Sequence, residues 1–306
     1  MKIPFGKYKD KPIEVLSHDL GYAEWILEQE WFAQKHPDLH EAISVLAKDG
    51  LTNQTSSSLD AKENFLLSIA LKEEKIESFK EYPFSLPAVK NLERTIFHPH
   101  VTYIVGENGS GKSTLLEALA ITQGFNPEGG TVNFTFSTRP SHSKLHEYLR
   151  VAKSYKKPQT GFFLRAESFF NVATEIENLD SEGPGNKIIN SYGGKSLHEQ
   201  SHGEAFFSLL QHRFGSNGLY ILDEPEAALS PHRQMAMLTL IHDLIKKGSQ
   251  FIIATHSPIL LSYPNATIYE IQEKGLKEVS YEETDTFKIS KRFLNNYEGM
   301  LKILLS

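Results

Sequence analysis

Hydrophobic runs alternate with helical patterns along the chain from about Asn64 to its end. Three short runs have the largely apolar character expected of strands that are buried on both faces of a sheet. They are Val101–Val105, Leu219–Leu222 and Phe251–Ala254. Alternation of such strands with helices predicts an α/β domain with a mainly parallel central sheet.

Residues 1–48 follow a different pattern and are rich in aromatic side chains. One helix is predicted around Trp25. A second helix should follow Pro37, because Leu39, Ile43 and Leu46 recur at helical spacing. The next segment is polar and has little apolar area to bury, which predicts a flexible linker. We therefore expect a small, mainly helical domain at 1–48, a linker at 49–63 and the α/β domain at 64–306.

The amino-acid composition excludes several classes of protein and of site. With 40% hydrophobic and 23% charged residues, the chain has the composition of a globular protein. It has neither an apolar run of about 20 residues nor an apolar signal-peptide core, so we expect a cytoplasmic protein without membrane insertion. The absence of cysteine excludes disulfides and thiolate metal sites. A net charge of −6 gives no overall electrostatic case for nucleic-acid binding.

The segment Gly106–Thr114 carries the strongest chemical signal, because it fits the phosphate-binding pattern G-x-x-x-x-G-K-[ST]. A predicted strand precedes it and a predicted helix, Leu115–Ala120, follows it. Backbone N–H groups and the helix N-terminus would face the phosphates. Both flanks argue against a chance glycine-rich turn. We expect ATP and Mg²⁺ to bind here, with Lys112 on the β- and γ-phosphates and the Ser113 hydroxyl on the metal. The candidate ATP-binding residues are Gly106, Asn108, Gly109, Ser110, Gly111, Lys112, Ser113 and Thr114.

Two acidic residues follow the second apolar run, and a histidine follows the third. Asp223 is placed to hold Mg²⁺, and Glu224 to accept a proton from an attacking water. An acidic strand-to-helix turn is the alternative explanation. His256 should lie beside Glu224, where it could sense the γ-phosphate, although a structural histidine would fit the same position. Ligands bind at this end of the strands in open α/β sheets.

A further helix is predicted to begin near Ser201 and to continue through Leu210. Ser201 and Glu204 form a capping-box pattern, which is a purely structural explanation. The same helix N-terminus could present the Ser201 hydroxyl and the backbone at Gly203 to a phosphate. The two explanations are compatible.

The order of these motifs resembles the ABC-type ATPase superfamily, and more closely a family of small bacterial ATPases of the AAA/ABC type. The resemblance covers about residues 64–306 and implies an ABC-type P-loop fold with a short helical subdomain. It implies that Ser201–Glu204 acts in trans on the nucleotide of a second subunit, in an ATP-dependent homodimer. Ala227–Ser230 would be the D-loop and His256 the switch histidine.

The chain departs from the family pattern at three places, one of which is Ser230, where transporters usually carry Asp in the D-loop. His202 replaces the first glycine of the transporter signature. No clear Q-loop glutamine is present, and Arg165 and Glu167 stand at the matching strand end instead. The aromatic residue that stacks on adenine is unassigned, with Tyr82 and Phe84 at a plausible distance from the loop. The interval from Glu167 to Ser201 is too short for a long coiled coil.

The N-terminal residues resemble a small module found at the C-terminus of exodeoxyribonuclease X-like proteins. Residues 3–12 and 22–27 carry this resemblance. Lysines and aromatics there, such as Lys7 and Phe5, could contact nucleic acid. Residues 1–50 nevertheless hold six lysines and nine carboxylates, so a solvated lysine-rich hairpin over core aromatics is the stronger explanation.

Three functions follow from the sequence. The preferred one is an ATPase in which Mg-dependent hydrolysis drives an ATP-dependent dimerisation switch, with nucleic acid as a candidate partner. The second is a nucleic-acid-associated clamp or sensor with little hydrolysis. The third is the nucleotide-binding subunit of a membrane transporter, which the altered signature and the missing Q-loop glutamine disfavour.

Overall fold

The computed structural model describes four continuous stretches, residues 35–44, 65–132, 143–167 and 202–306, and a number of residues elsewhere. Those others are residues 8, 11, 13, 27, 32, 169, 171, 173, 174, 177, 180, 189, 190 and 194. The chain divides into two compact units, Met1–Leu59 and Asp60–Ser306. The predicted linker at 49–63 and Ser201 lie outside the described residues, as does almost all of the helix predicted around Trp25.

In the N-terminal unit, residues 37–44 are helical, which confirms the helix predicted after Pro37. Ile13, Phe32 and Ile43 are buried together in a small apolar cluster. The ring of Phe32 lies 5.9 Å from the ring of His40. The described residues of this unit therefore include a small core of their own.

The C-terminal unit alternates strands and helices as the sequence predicts. Its strands are β1 Leu66–Leu71, β2 Thr95–Ile96, β3 Val101–Val105, β4 Leu149–Lys153, β5 Thr160–Arg165, β6 Gly218–Asp223, β7 Gln250–Ala254, β8 Thr267–Gln272 and β9 Gly275–Val279. Its longer helices are α1 Lys112–Thr122, α2 His202–Arg213, α3 Pro231–Lys246, α4 Asp285–Asn295 and α5 Tyr297–Leu304. The three predicted buried strands are confirmed as β3, β6 and β7.

The strands form two sheets. The larger one has the order β5-β6-β7-β3-β8-β9, and all of its pairs are parallel except β8 with β9. The smaller one has the order β2-β1-β4 and is antiparallel. In the large sheet, β7 lies between β3 and β6, so the carboxyl ends of all three strands meet at one edge. The P-loop, the acid pair and the histidine follow these three ends.

Alternate side chains of the central strands enter two different cores. Tyr103 and Tyr220 pack with Phe206 of α2 and Met237 of α3 on one face. On the other face Ile104, Ile221 and Ile252 pack with Leu116 and Leu119 of α1. Because successive strand side chains point to opposite faces, strands that are apolar at nearly every position are covered on both sides. This burial holds the strand ends at fixed positions.

Helices α4 and α5 carry several exposed apolar side chains, including Ile289, Leu294 and Ile303. Within the described part of the chain, no helix is both long enough and apolar enough to span a membrane.

Candidate active site

The P-loop connects the end of β3 to the start of α1, as predicted. Gly109 and Gly111 have φ values of +78° and +99°, a region that favours glycine. Gly111 is also the residue before α1, and a Cβ atom there would lie 3.0 Å from Cβ of Leu86. The loop therefore needs glycine at this position for both backbone conformation and space. The resulting tight turn directs the N-terminus of α1 at the cavity.

Lys112 is almost fully buried and lies over the loop that precedes it. Its Nζ atom donates hydrogen bonds to the carbonyl oxygens of Gly106, at 2.8 Å, and Glu107, at 3.0 Å. Burial lowers the pKa of Lys112, while the nearby carboxylates of Glu224, Asp223 and Glu226 act in the opposite direction. The ammonium group is thus held among acidic groups, close to the helix N-terminus that would bind phosphate.

Ser113 and Asp223 are joined across the sheet edge. The Ser113 hydroxyl donates a hydrogen bond to Oδ1 of Asp223 at 3.1 Å. Burial raises the pKa of Asp223 to about 6, although Arg165 and the Ser113 hydrogen bond favour the ionised form. A hydroxyl and a buried carboxylate at this distance are suitable ligands for Mg²⁺. The described residues contain no cluster of three or more acidic or histidine side chains that could hold a metal alone.

Glu224 and His256 lie side by side, as the strand order predicts. Oε1 of Glu224 is 3.5 Å from Nε2 of His256. The backbone of Glu224 is left-handed, with φ +50° and ψ +52°, and its N–H donates to the carbonyl oxygen of Ala254 at 2.9 Å. A left-handed conformation is uncommon for glutamate and is a form of strain often found at functional sites. Here it turns the side chain from the end of β6 towards the cavity.

Arg165 lies at the end of β5, directly opposite Asp223 in the register with β6. Its Nη1 atom is 2.6 Å from Oε2 of Glu117, and its Nε atom is 3.9 Å from Oδ2 of Asp223. Glu167 is 88% exposed and lies 3.7 Å from Arg165. Of the two candidates for the missing glutamine, Arg165 is therefore the largely buried one, close to Asp223, whereas Glu167 lies at the cavity surface.

Sequence reasoning did not identify Glu117 or Leu86 as parts of the site. Glu117 is a buried carboxylate on α1 that accepts hydrogen bonds from the Ser143 backbone and from Arg165. An acidic residue among the apolar positions of a predicted helix was the available signal for Glu117. Leu86 is 25 positions before Gly111 and gave no such signal, because only the fold brings the two together.

A cavity of about 330 Å³ lies at the P-loop and the end of β6. Its lining residues are Leu86, Asn108, Gly109, Gly111, Lys112, Ser113, Thr114, Glu167 and Glu224. Within the described residues, three buried polar atoms at or next to this region have no hydrogen-bond partner: Ser110 Oγ, Arg165 Nε and His256 Nε2. Buried polar atoms without partners are uncommon and point to a missing polar ligand. Together with the P-loop, they fit a nucleoside triphosphate with Mg²⁺.

Gly203 is described, whereas Ser201 is not. Gly203 lies in the first turn of α2, where an added Cβ atom would meet Nη1 of Arg233 at 2.6 Å and the carbonyl oxygen of Ala228 at 2.8 Å. Gly203 is not among the residues that line the cavity. Its assignment to a phosphate therefore stays a prediction, and close packing gives a local reason for glycine at this position.

The two aromatic candidates for adenine stacking have different environments. Phe84 packs against the core on the α1 side of the sheet, and its ring is 4.9 Å from the ring of Tyr148 in an edge-on arrangement. Tyr82 is 64% exposed. Phe84 therefore has a structural role, whereas the exposed side chain of Tyr82 is accessible to an adenine base.

Two family models match the C-terminal unit. One is described as "ABC transporter" and matches residues 89–227. The other is described as "AAA domain, putative AbiEii toxin, Type IV TA system" and matches residues 204–262. The first range contains the P-loop and the Asp223–Glu224 pair, and the second contains that pair and His256.

Curated relatives are similar over the same part of the chain. The energy-coupling factor transporter ATP-binding protein EcfA2 of Methanospirillum hungatei is 26% identical, over 63% of this chain and 51% of its own length. The lipoprotein-releasing system ATP-binding protein LolD of Bacteroides fragilis is 24% identical, over 61% of this chain and 92% of its own length. The chain thus spans only about half the length of the EcfA2 relative.

Two solved structures match the chain at low sequence identity. A nucleotide-free ATP-binding cassette from an ABC transporter is 18% identical with a TM-score of 0.44, covering 74% of this chain and 95% of that one. The SMC head domain from Thermotoga maritima is 17% identical with a TM-score of 0.35, covering 71% of this chain and 98% of that one.

Proposed function

We propose that the C-terminal unit is an ATP-hydrolysing P-loop domain of the ABC type, and that the chain uses ATP binding and hydrolysis to join and separate two copies of itself. The observation that carries the proposal is the arrangement of Lys112, Ser113 and Glu224 around one cavity, with Asp223 and His256 next to it. The ATPase chemistry follows from these residues. The formation of a dimer by two copies is an additional part of the proposal.

Binding of the triphosphate is assigned to the P-loop. Lys112 contacts the β- and γ-phosphates, and backbone N–H groups from Gly109 to Thr114 donate to phosphate oxygens. Ser113 and Asp223 would hold Mg²⁺, which neutralises phosphate charge when it is bound. Lys112 and Asp223 have little freedom to move, since both are almost fully buried. Catalysis of this kind depends mainly on positioning and charge stabilisation.

Hydrolysis is assigned to Glu224 and His256. Glu224 accepts the proton of a water whose oxygen attacks the γ-phosphorus, and the bond from that phosphorus to the β–γ bridging oxygen breaks. The products are ADP and inorganic phosphate. His256 lies 3.5 Å from Glu224, and its buried Nε2 atom is available to the γ-phosphate. Arg165 replaces the glutamine of the family pattern and supplies a positive charge beside Asp223.

The dimer part of the proposal rests on the family resemblance of the α2 N-terminus. In that resemblance, Ser201 and Gly203 contact the nucleotide of the second copy. ATP would therefore be shared between two P-loops and two α2 N-termini, and loss of the γ-phosphate contacts would separate the copies. Gly203 lies against Ala228, in the turn that follows Glu224. A movement at the α2 N-terminus would therefore be felt in the turn next to Glu224.

The Glu224→Gln variant tests both parts. It keeps the size of the side chain but removes the proton acceptor, so kcat should fall by about 10²–10⁴-fold while ATP still binds. Size-exclusion chromatography with ATP and Mg²⁺ should then show a stable dimer for the variant. Glu273→Gln, at an exposed carboxylate in the β8–β9 turn, is the matched control and should behave as wild type.

The possible results separate the two parts of the proposal. Unchanged turnover in Glu224→Gln would remove Glu224 from the mechanism. Slow turnover without ATP-dependent dimers would keep the ATPase assignment and exclude the dimer switch. Without a dimer, a bulky residue at Gly203 of one copy could not affect the site of a partner. The chromatographic result therefore decides whether the dimer switch is kept.

A second candidate is the nucleotide-binding subunit of a transporter, because the relatives above carry transporter names. The replacement of the signature glycine by His202 and of the Q-loop glutamine by Arg165 weighs against it. Affinity purification from membranes of the source cells tests this candidate. Recovery of a polytopic partner would favour the transporter subunit, and its absence together with ATP-dependent homodimers would favour the switch.

Nucleic acid as a partner, in the switch or in a clamp with little hydrolysis, also stays a proposal. It depends on the resemblance of the N-terminal residues to the exodeoxyribonuclease X-like module, and residues 3–7 lie outside the described part of the chain. An ATPase assay with single-stranded DNA, double-stranded DNA or RNA tests it. Stimulation that disappears on deletion of residues 1–50 would support the module's role.

A further inference from the structure

Glu226 is a second acidic side chain that contacts the His256 segment, two positions after Glu224. It lies in the short 3-10 turn Pro225–Ala228. Its Oε1 atom accepts a hydrogen bond from the backbone N–H of His256 at 2.5 Å. Glu224 approaches the ring of the same histidine. His256 is therefore held at two points, its backbone by Glu226 and its ring next to Glu224.

Gln234 of α3 provides a second attachment for the same segment. The Ser257 hydroxyl donates a hydrogen bond to Oε1 of Gln234 at 2.6 Å, and Nε2 of Gln234 donates to the carbonyl oxygen of Leu229 at 2.9 Å. Ser257 Oγ also accepts from the backbone N–H groups of Ile259 and Leu260, both at 3.1 Å. Consecutive residues after β7 are thus connected to the segment that follows the acid pair.

The surroundings of Glu226 limit its movement. Its Oε2 atom is buried and has no hydrogen-bond partner within the described residues, and the same is true of the Tyr103 hydroxyl. The two groups are close enough for the charge of Glu226 to contribute to the raised pKa of Tyr103, after burial as the main cause. One carboxylate oxygen of Glu226 is thus buried, while the other accepts the backbone N–H of His256.

We propose that Glu226 is a positioning residue that keeps His256 in its catalytic orientation by holding the backbone N–H of that residue. This rests on the proposed ATPase mechanism, in which His256 contacts the γ-phosphate. Within the described residues, the last backbone hydrogen bond from this segment to β3 runs from the N–H of Thr255 to the carbonyl oxygen of Ile104, at 3.4 Å. At the next residue, His256, the carboxylate of Glu226 accepts the backbone N–H instead. A displacement of about 1 Å at such a side chain can lower turnover by about 100-fold.

Two substitutions separate the hydrogen bond from the side-chain volume. Glu226→Gln keeps an acceptor oxygen and should retain kcat within about threefold of wild type, because an amide oxygen can still accept from the N–H of His256. Glu226→Leu has a similar size but no acceptor, and it should lower kcat by about 10–100-fold with little change in the KM for ATP. Glu73→Leu, at an exposed glutamate in another 3-10 turn, is the control.

A combination with His256→Ala tests whether Glu226 acts through the histidine. The double variant Glu226→Leu/His256→Ala should be no slower than His256→Ala alone, because the positioned side chain is already absent. A further decrease in kcat in the double variant would show that Glu226 acts by another route and would overturn the proposal. An equal loss in Glu226→Gln and Glu226→Leu would also overturn it.

Hydrogen exchange gives a readout that does not depend on ATP hydrolysis. In mass spectrometry of peptides that contain residues 255–260, Glu226→Leu should exchange faster than both wild type and Glu226→Gln, while peptides from β8 should be unchanged. If the wild-type protein hydrolyses no ATP, the proposed function fails, but faster exchange in this segment still supports the positioning contact. Equal exchange in all three proteins would contradict it.

Discussion

The ion pair between Arg165 and Glu117 allows a quantitative test of how the site is held together. The two side chains are only 19% and 11% exposed, and their closest atoms are 2.6 Å apart. Glu117→Gln keeps the shape of the side chain but removes its charge. Within the described residues, Arg165 would then keep the carbonyl oxygen of Pro127 at 3.4 Å and the more distant carboxylates of Asp223 at 3.9 Å and of the exposed Glu167 at 3.7 Å.

The expected loss follows from this burial. Removing one partner of a buried pair costs about 3–5 kcal/mol, because the other charge stays desolvated. We expect about 2–4 kcal/mol for Glu117→Gln, since Arg165 retains some solvent contact and the charge of Asp223. For a domain of this size, that corresponds to a decrease in Tm of about 5–15 °C.

Arg150 and Glu74 provide the matched control within the same domain. Their atoms are 3.1 Å apart, but the side chains are 65% and 61% exposed. An exposed pair contributes about 0–1 kcal/mol, so Glu74→Gln should change Tm by less than about 3 °C. Thermal unfolding followed by circular dichroism, without nucleotide or Mg²⁺, measures both variants. Equal decreases in the two variants would refute the argument that burial determines the strength of these pairs.

Three other perturbations have defined outcomes. Gly111→Ala should destabilise the protein by about 1–2 kcal/mol more than Gly109→Ala in thermal unfolding, because only the first places Cβ 3.0 Å from Leu86 while the second meets nothing within 4 Å; equal losses would contradict this. Lys112→Met should weaken ATP binding by about 10–100-fold in calorimetry, since charge-assisted contacts to phosphate are lost, and unchanged affinity would exclude Lys112 from the phosphates. Burial raises the pKa of Asp223 to about 6, above its ordinary value of 3.8, so the folded state binds more protons between these values. The measured quantity is the free energy of unfolding of the wild type minus that of Asp223→Asn, without Mg²⁺. This difference should be largest below the ordinary pKa of aspartate and should fall by about 3 kcal/mol as the pH rises through the folded-state pKa of Asp223. Parallel pH curves for the two proteins would contradict the raised pKa.

The sequence by itself determined the fold class and the local chemistry of the site. The glycine and lysine pattern of residues 106–114 predicts a phosphate loop from local geometry alone, since it needs only glycine conformations and a helix start. The apolar runs that became β3, β6 and β7 predict buried parallel strands. Because parallel strands end at one sheet edge, the sequence also placed Asp223 and His256 near the P-loop.

Only the tertiary structure decided which side chains meet across the sheet edge. Arg165 faces Asp223 because β5 pairs with β6 in one register, and a different register would have put other residues opposite that acid. Glu117 reaches Arg165 because of how α1 packs. Leu86 lies against Gly111 because the chain returns to the P-loop. The contact of Glu226 with the His256 backbone depends on the turn after β6 and on the segment after β7. Local sequence specifies backbone conformations, but contacts between distant segments depend on register and packing, which are properties of the whole fold.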